Sequence, residues 1–184
     1  MEKMDTTKVT GLKKADITET IQQYQELDDS VKELIRSANK VRLNAYVPYS
    51  NFKVGAAFRS KCGRIFNGCN VENAAFSPSS CAERTAICKA VSEGVREFTA
   101  AAVVAYQEDA FTTPCGVCRQ FIMEFADGDI PLYVAKAVQT SLENGATANQ
   151  TNKELENFPT DNVLCTSIYN LLPNGFRNFK KIVT

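Results

Sequence analysis

The chain has 184 residues, 44% of them hydrophobic, which is enough for one well-buried core and short for two. Lysine plus arginine equals aspartate plus glutamate at 21 each, and the isoelectric point is near 6.4, so no general field draws polyanions and nucleic-acid polymers are not expected partners. No apolar run approaches the roughly 20 residues of a bilayer span, and MEKMDTTKVTGLKK lacks the apolar centre of a signal peptide, so a cytoplasmic protein with no membrane partner is expected.

Residues 1–27 are polar and read as an N-terminal extension, with one short helix within ITETIQQYQEL. The domain proper is expected over 28–184. Its first helix opens at Ser30, with Glu33 three residues on as a capping box, and carries Val31, Leu34, Ile35, Ala38 and Val41 on one stripe. It should end before Pro48. KVGAAFRSKCGRIFNGCNV then gives two apolar runs around a Gly63 turn, a β-hairpin whose second strand leads into the loop NVENAAFSPSS. From Cys81 the period becomes helical through Ala82, Ala86, Ile87, Ala90 and Val91, and Gly94 is the expected stop. TAAAVVAY reads as a strand, CGVCRQFIMEF as a helix and PLYVA as another strand. Residues 139–162, rich in Asn, Thr and Glu, read as a surface insertion. TSIYNLLPNGF closes the chain as a short capped helix ending at Pro173, then a turn at Asn174 and Gly175. Helices alternating with apolar strands imply crossovers and a parallel portion of sheet, so the fold class is α/β with a mixed sheet.

Seven cysteines and no histidine make up the unusual part of the composition. In a reducing compartment, an odd count favours metal ligation or reactive thiols over a disulfide framework. Cys62, Cys69, Cys88 and Cys165 lie among apolar or small neighbours and read as packed small hydrophobes. Cys115 and Cys118 share a face in the first turn of one helix, and Cys81 begins another. Helix N-termini favour thiolates through their unpaired NH groups. Because successive helices in a parallel unit start at the same sheet edge, the three sulfurs can converge. A lone CxxC also fits a redox pair or a four-cysteine structural zinc site. Three thiolates without an obvious fourth ligand instead match catalytic zinc, with one coordination position left open. With no histidine to move protons, Glu83, two residues after Cys81, is the candidate carrier.

CAE followed by PCGVC, with NVEN and VGAA upstream, resembles the cytidine deaminase family, over roughly Asp28 to Ala135 and weakly at LLPNGF. The resemblance implies a three-layer α/β/α fold, one Zn²⁺ per subunit on Cys81, Cys115 and Cys118, and hydrolytic deamination of cytidine and deoxycytidine with Glu83 as proton shuttle. It also implies that Asn70 and Glu72 hold the ribose hydroxyls and Phe52 packs against the pyrimidine. The Ala82 NH would donate to the base carbonyl, and the Thr113 carbonyl would accept from the amino group. Zinc with three thiolates is formally minus one, and Arg84 would offset this by donating to the ligand sulfurs. The family's three-cysteine members are homotetramers in which neighbours complete each site, and Phe76 and Phe176 occupy such lending positions. A polynucleotide deaminase would need basic and aromatic surface in excess, which this chain lacks. A nucleotide-level enzyme would need a phosphate cradle, and Glu72 opposes one. A noncatalytic zinc module would leave Glu83 unexplained.

Overall fold

The computed structural model describes residues 16–126, 128–137, 161–173 and 175–176. One six-stranded mixed sheet organises them, built from β1 (Thr20–Gln23), β2 (Val54–Ser60), β3 (Ile65–Cys69), β4 (Phe98–Ala105), β5 (Pro131–Lys136) and β6 (Asn162–Ser167), in the order β1-β6-β5-β4-β2-β3. The helices are α1 (Asp29–Arg42), α2 (Ala82–Ser92), α3 (Gly116–Glu124) and the short α4 (Ile168–Leu171). Among the described residues no helix is long and apolar enough to cross a membrane.

Strand side chains alternate between two cores, as a pleated sheet covered on both faces requires. Ala56, Phe58, Ala101, Val103, Leu132 and Val134 meet Ala86, Ile87, Ile122 and Met123 of α2 and α3. Ala57, Ala102, Val104 and Ala135 face the other way, onto Leu34, Ile35 and Ala38 of α1. The layers are therefore helix, sheet, helix, as expected. Two glycines set how closely the helices sit. A Cβ on Gly55 would lie 2.0 Å from the Ala38 carbonyl of α1, and one on Gly68 would lie 2.4 Å from the Ala86 nitrogen of α2. Gly68 thus lets α2 press directly onto β3, which fixes the height of the α2 N-terminus.

β4 and β5 pair in parallel, with α3 as their crossover. β3 and β4 each run antiparallel to β2, so they too are parallel, and α2 is the crossover between them. Consequently α2 and α3 both start at the same end of the sheet.

Several local expectations change. The stretch expected as a helix before residue 28 forms β1, paired with β6 from Thr20 opposite Cys165 to Gln23 opposite Asn162, followed by a 3-10 turn at Tyr24–Glu26. All four β1 residues are exposed, so the ladder with β6 and not an apolar period makes the strand. Asp28, not Ser30, caps α1, and Glu33 reaches Arg59 at 2.9 Å instead of closing a capping box. The hairpin and its Gly63 turn, at φ 88°, stand as read. β6 lies in what was read as the tail of the insertion and the start of the last helix. α4 ends at Leu171, with the Ser167 hydroxyl accepting from the Asn170 NH. Cys165 is buried, but Cys62 and Cys88 are exposed rather than packed. Residues 139–160, and with them nearly all of the expected insertion, lie outside the described residues, as do 1–15 of the extension.

Candidate active site

Cys81 is the N-cap of α2 and Cys115 the N-cap of α3, with Cys118 one turn further in. Their sulfurs all lie within 4.8 Å of one another, and those of Cys81 and Cys115 are 3.9 Å apart. A disulfide needs about 2.05 Å between sulfurs. Tetrahedral zinc with Zn–S near 2.3 Å separates its sulfurs by about 3.8 Å. The trio therefore has the spacing of ligands around one cation and fits zinc by both distance and donor chemistry. Among the described residues no fourth His, Cys, Asp or Glu atom joins the group.

The electrostatics agree. The Cys81 thiol is lowered to about 5, first by the hydrogen bond from Cys118 and then, against the opposing cost of burial, by Arg84 and Cys115. Cys118 shifts upward, first through that same hydrogen bond and then through burial. A bound divalent ion deprotonates such thiols outright. Arg84 donates from Nη2 to the Ser79 carbonyl at 2.9 Å and to Cys81 Sγ at 3.8 Å. Its Nε is buried with no partner, an unpaired donor held beside the sulfurs.

Glu83 sits in the first turn of α2 and is only 4% exposed. Burial raises its pKa, the Cys81 charge adds to that, and hydrogen bonding from Cys118 works against it. A carboxyl that holds its proton toward neutrality can both accept and release one there.

The loop after β3 runs beside the approach to α2. Val71 exchanges both backbone hydrogen bonds with Ser80, each 2.9 Å, so the NVEN segment lies directly against the approach to Cys81. Asn70 spends its amide on the neighbouring loop: Nδ2 donates to the Phe52 carbonyl at 2.8 Å and Oδ1 accepts from the Val54 NH at 2.8 Å. Glu72 accepts from the Tyr49 NH at 3.0 Å, the Ser50 NH at 3.2 Å and the Ser50 hydroxyl. These bonds, the hydroxyl first, lower its pKa and keep it ionised. Phe52 stands at the exposed rim, and its NH donates to Ser50 Oγ at 3.0 Å. Phe76 takes φ 44°, uncommon for a bulky residue, and its ring is 72% exposed, meeting the Tyr49 ring edge-on at 6.1 Å. Phe176 is 73% exposed beyond α4. Ala82 opens α2, where the first-turn NH groups have no intrahelical partner. Thr113 lies two residues before Cys115, its hydroxyl accepting from Arg119 at 2.9 Å.

Comparison with known proteins decides the family. Residues 28–134 match the family model described as the cytidine and deoxycytidylate deaminase zinc-binding region. The chain belongs to that deaminase family. It is 55% identical over 104 residues to a cytidine deaminase of Sporosarcina psychrophila, covering 56% of this chain and 76% of that one. It is 45% identical over 102 residues to a probable cytidine deaminase of Dictyostelium discoideum, covering 55% and 69%. In three dimensions it resembles the crystal structure of cytidine deaminase from Burkholderia pseudomallei, with TM-score 0.62, 37% identity, and coverage of 79% of this chain and 98% of that one.

In this member of the deaminase family the three sulfurs meet at the starts of α2 and α3, Glu83 and Arg84 stand in the first turn of α2, and Asn70, Glu72 and Phe52 are tied together through the 49–54 loop. Phe76 and Phe176 point outward instead of lining a closed pocket within one chain. Two residues escaped the sequence reading. Ser50 orients Glu72 and supports the Phe52 backbone, and its position inside YSNF was the available signal. Arg119 follows Cys118 directly and clamps the loop that carries Cys115, but nothing in the spacing of charges announces a guanidinium whose partners are neutral oxygens.

Proposed function

We propose that this deaminase hydrolyses cytidine and deoxycytidine to uridine and deoxyuridine, releasing ammonia. One observation carries the reading: three sulfurs spaced as zinc ligands, with a buried carboxyl two residues from one of them and no fourth protein ligand among the described residues. Zinc, when held by Cys81, Cys115 and Cys118, supplies the Lewis acidity that makes water nucleophilic near neutral pH. Glu83 takes a proton from the attacking water and passes it to ring N3 as the water oxygen bonds to C4. It then moves a second proton to the amino group, the C4–N4 bond breaks, and ammonia leaves. Phe52 offers a flat apolar face to the base, the Ala82 NH donates to the base carbonyl, and the Thr113 carbonyl accepts from the amino group. Asn70 and Glu72, aligned by the 49–54 loop, serve the ribose. The ionised Glu72 disfavours a phosphate beside it.

Arg84 balances the thiolates in this reading. Arg84→Ala should weaken zinc retention by about 10- to 100-fold, the usual effect of losing a group that orients metal ligands, read by competition with a chelator. Removing a cation also disfavours every deprotonation in the site, so the acidic limb of the kcat–pH profile should move to higher pH. Unchanged zinc affinity and an unchanged profile would exclude the role.

The catalytic domain in this reading covers 28–184, with 1–27 as an extension whose Thr20–Gln23 stretch joins the sheet and 139–162 as an insertion between β5 and β6. The protein is a cytoplasmic homotetramer, supported by the outward-facing Phe76 and Phe176 and by the exposed α3 face at Val117. Phe176→Ala should raise KM about three- to tenfold, the worth of one aromatic contact, while sedimentation still shows a tetramer. A wild-type KM removes Phe176 from the site.

An absorbance assay of purified protein with cytidine, deoxycytidine, their monophosphates and a single-stranded oligonucleotide tests the function itself. Activity confined to the two nucleosides is expected. Preference for the monophosphates or the oligonucleotide would overturn the substrate class.

A further inference from the structure

Arg119 is half-buried on the first turns of α3 and carries three hydrogen bonds to neutral oxygens. Nε donates to the Pro114 carbonyl at 2.7 Å, Nη2 to the Thr113 hydroxyl at 2.9 Å and Nη1 to the Leu171 carbonyl at 3.0 Å. A planar fork of fixed donors can hold several acceptors at once, which a single ammonium cannot. Two of these acceptors flank one peptide unit. The Thr113 carbonyl lies between the Thr113 side chain and the Pro114 ring, and Arg119 pins the chain on both sides of it. Proline already narrows Thr113 to extended conformations, and the two hydrogen bonds hold its carbonyl to one direction within that range. The third bond fixes the guanidinium to the end of α4, and the adjacent Gln120 donates to the Phe176 carbonyl at 2.6 Å. Gly175 packs against Leu172 and Met123, where a Cβ would lie 2.8 and 2.9 Å from their side-chain carbons. The segment before Cys115 is thereby braced against the end of α4.

We propose that Arg119 is a positioning residue that aims the Thr113 carbonyl into the site, and that this aim sets discrimination between a 4-amino and a 4-oxo pyrimidine. The inference deepens the proposed function and rests on it. A well-directed carbonyl accepts a hydrogen bond from the amino group of cytidine and repels the O4 oxygen of uridine, so substrate binds well and product leaves. A carbonyl free to rotate does neither.

Arg119→Lys keeps the charge and loses the fork. Kinetics with cytidine, with uridine as inhibitor, and a zinc assay would be run together on the full chain. KM for cytidine should rise about tenfold, the equivalent of one lost hydrogen bond, while the uridine Ki stays level or falls. The Ki-to-KM ratio therefore drops by about tenfold or more, with zinc content unchanged. A general loss of structure would move both constants together. Thr113→Val removes only the hydroxyl anchor and should shift the ratio the same way by a smaller factor, and it decides the matter should Arg119→Lys not fold. A wild-type ratio in the variants overturns the role. A wild-type protein inactive on cytidine but active on other pyrimidines overturns the proposed substrate, and this role with it.

Discussion

Glu83→Gln is expected to lower kcat for cytidine by at least about 10⁴-fold, the upper end of what a general acid–base group contributes, while the chain still holds one zinc. The same carboxyl serves successive proton transfers, so its loss is felt at each. No substitute is at hand, since the chain has no histidine. Glu83 is buried and does not belong to the sulfur group, so an amide of the same shape leaves the packing and the ligands in place. Burial raises the carboxyl pKa, which brings it toward the pH at which it must both take and give a proton. Gln has no such equilibrium. Initial rates and metal content measured on one preparation check the expectation; turnover above about 1% of wild type, or a protein stripped of zinc, would remove Glu83 from that role.

Cys115→Ala should abolish zinc retention and reduce activity to below about 1%, while the sheet remains folded. Cys115 is exposed and belongs to neither core cluster, so its removal opens no cavity, whereas Cys118 is fully buried and its loss would confound metal with packing. Thermal stability in zinc should fall toward that of the metal-free wild type, because a ligand that binds only the native state stabilises it in proportion to ln(1 + [L]/Kd). Far-UV circular dichroism should be unchanged. A variant that keeps its zinc and more than about 10% of its turnover would mean that some other group is the third ligand.

The chain's linear pattern carried the two crossover helices, their strands and the hairpin because each has an apolar period of its own. It also carried the ligand trio, because helix starts after parallel strands must fall at one edge. β1 and β6 were hidden for opposite reasons. TIQQ is exposed at all four positions and has no face to signal, and NVLCTS stands beside a long polar stretch that masks its apolar beginning. The cap of α1 was misplaced by two residues because Glu33 had a better partner in Arg59, far away in sequence.

Residue types and spacing alone determined that three cysteines at two helix starts can converge, with a carboxylate two residues after one of them, since helical and parallel-sheet geometry leave few other outcomes. Only the tertiary structure decided what the polar residues around them hold. Asn70 and Glu72 are held by the 49–54 loop, Arg84 leaves its buried Nε without a partner, and Arg119 ties the Thr113–Pro114 segment to Leu171. Local periodicity encodes which face of an element is buried. A hydrogen bond between residues 52 positions apart, as between Arg119 and Leu171, depends on where two separate elements come to rest, and that is settled by the packing of the whole chain.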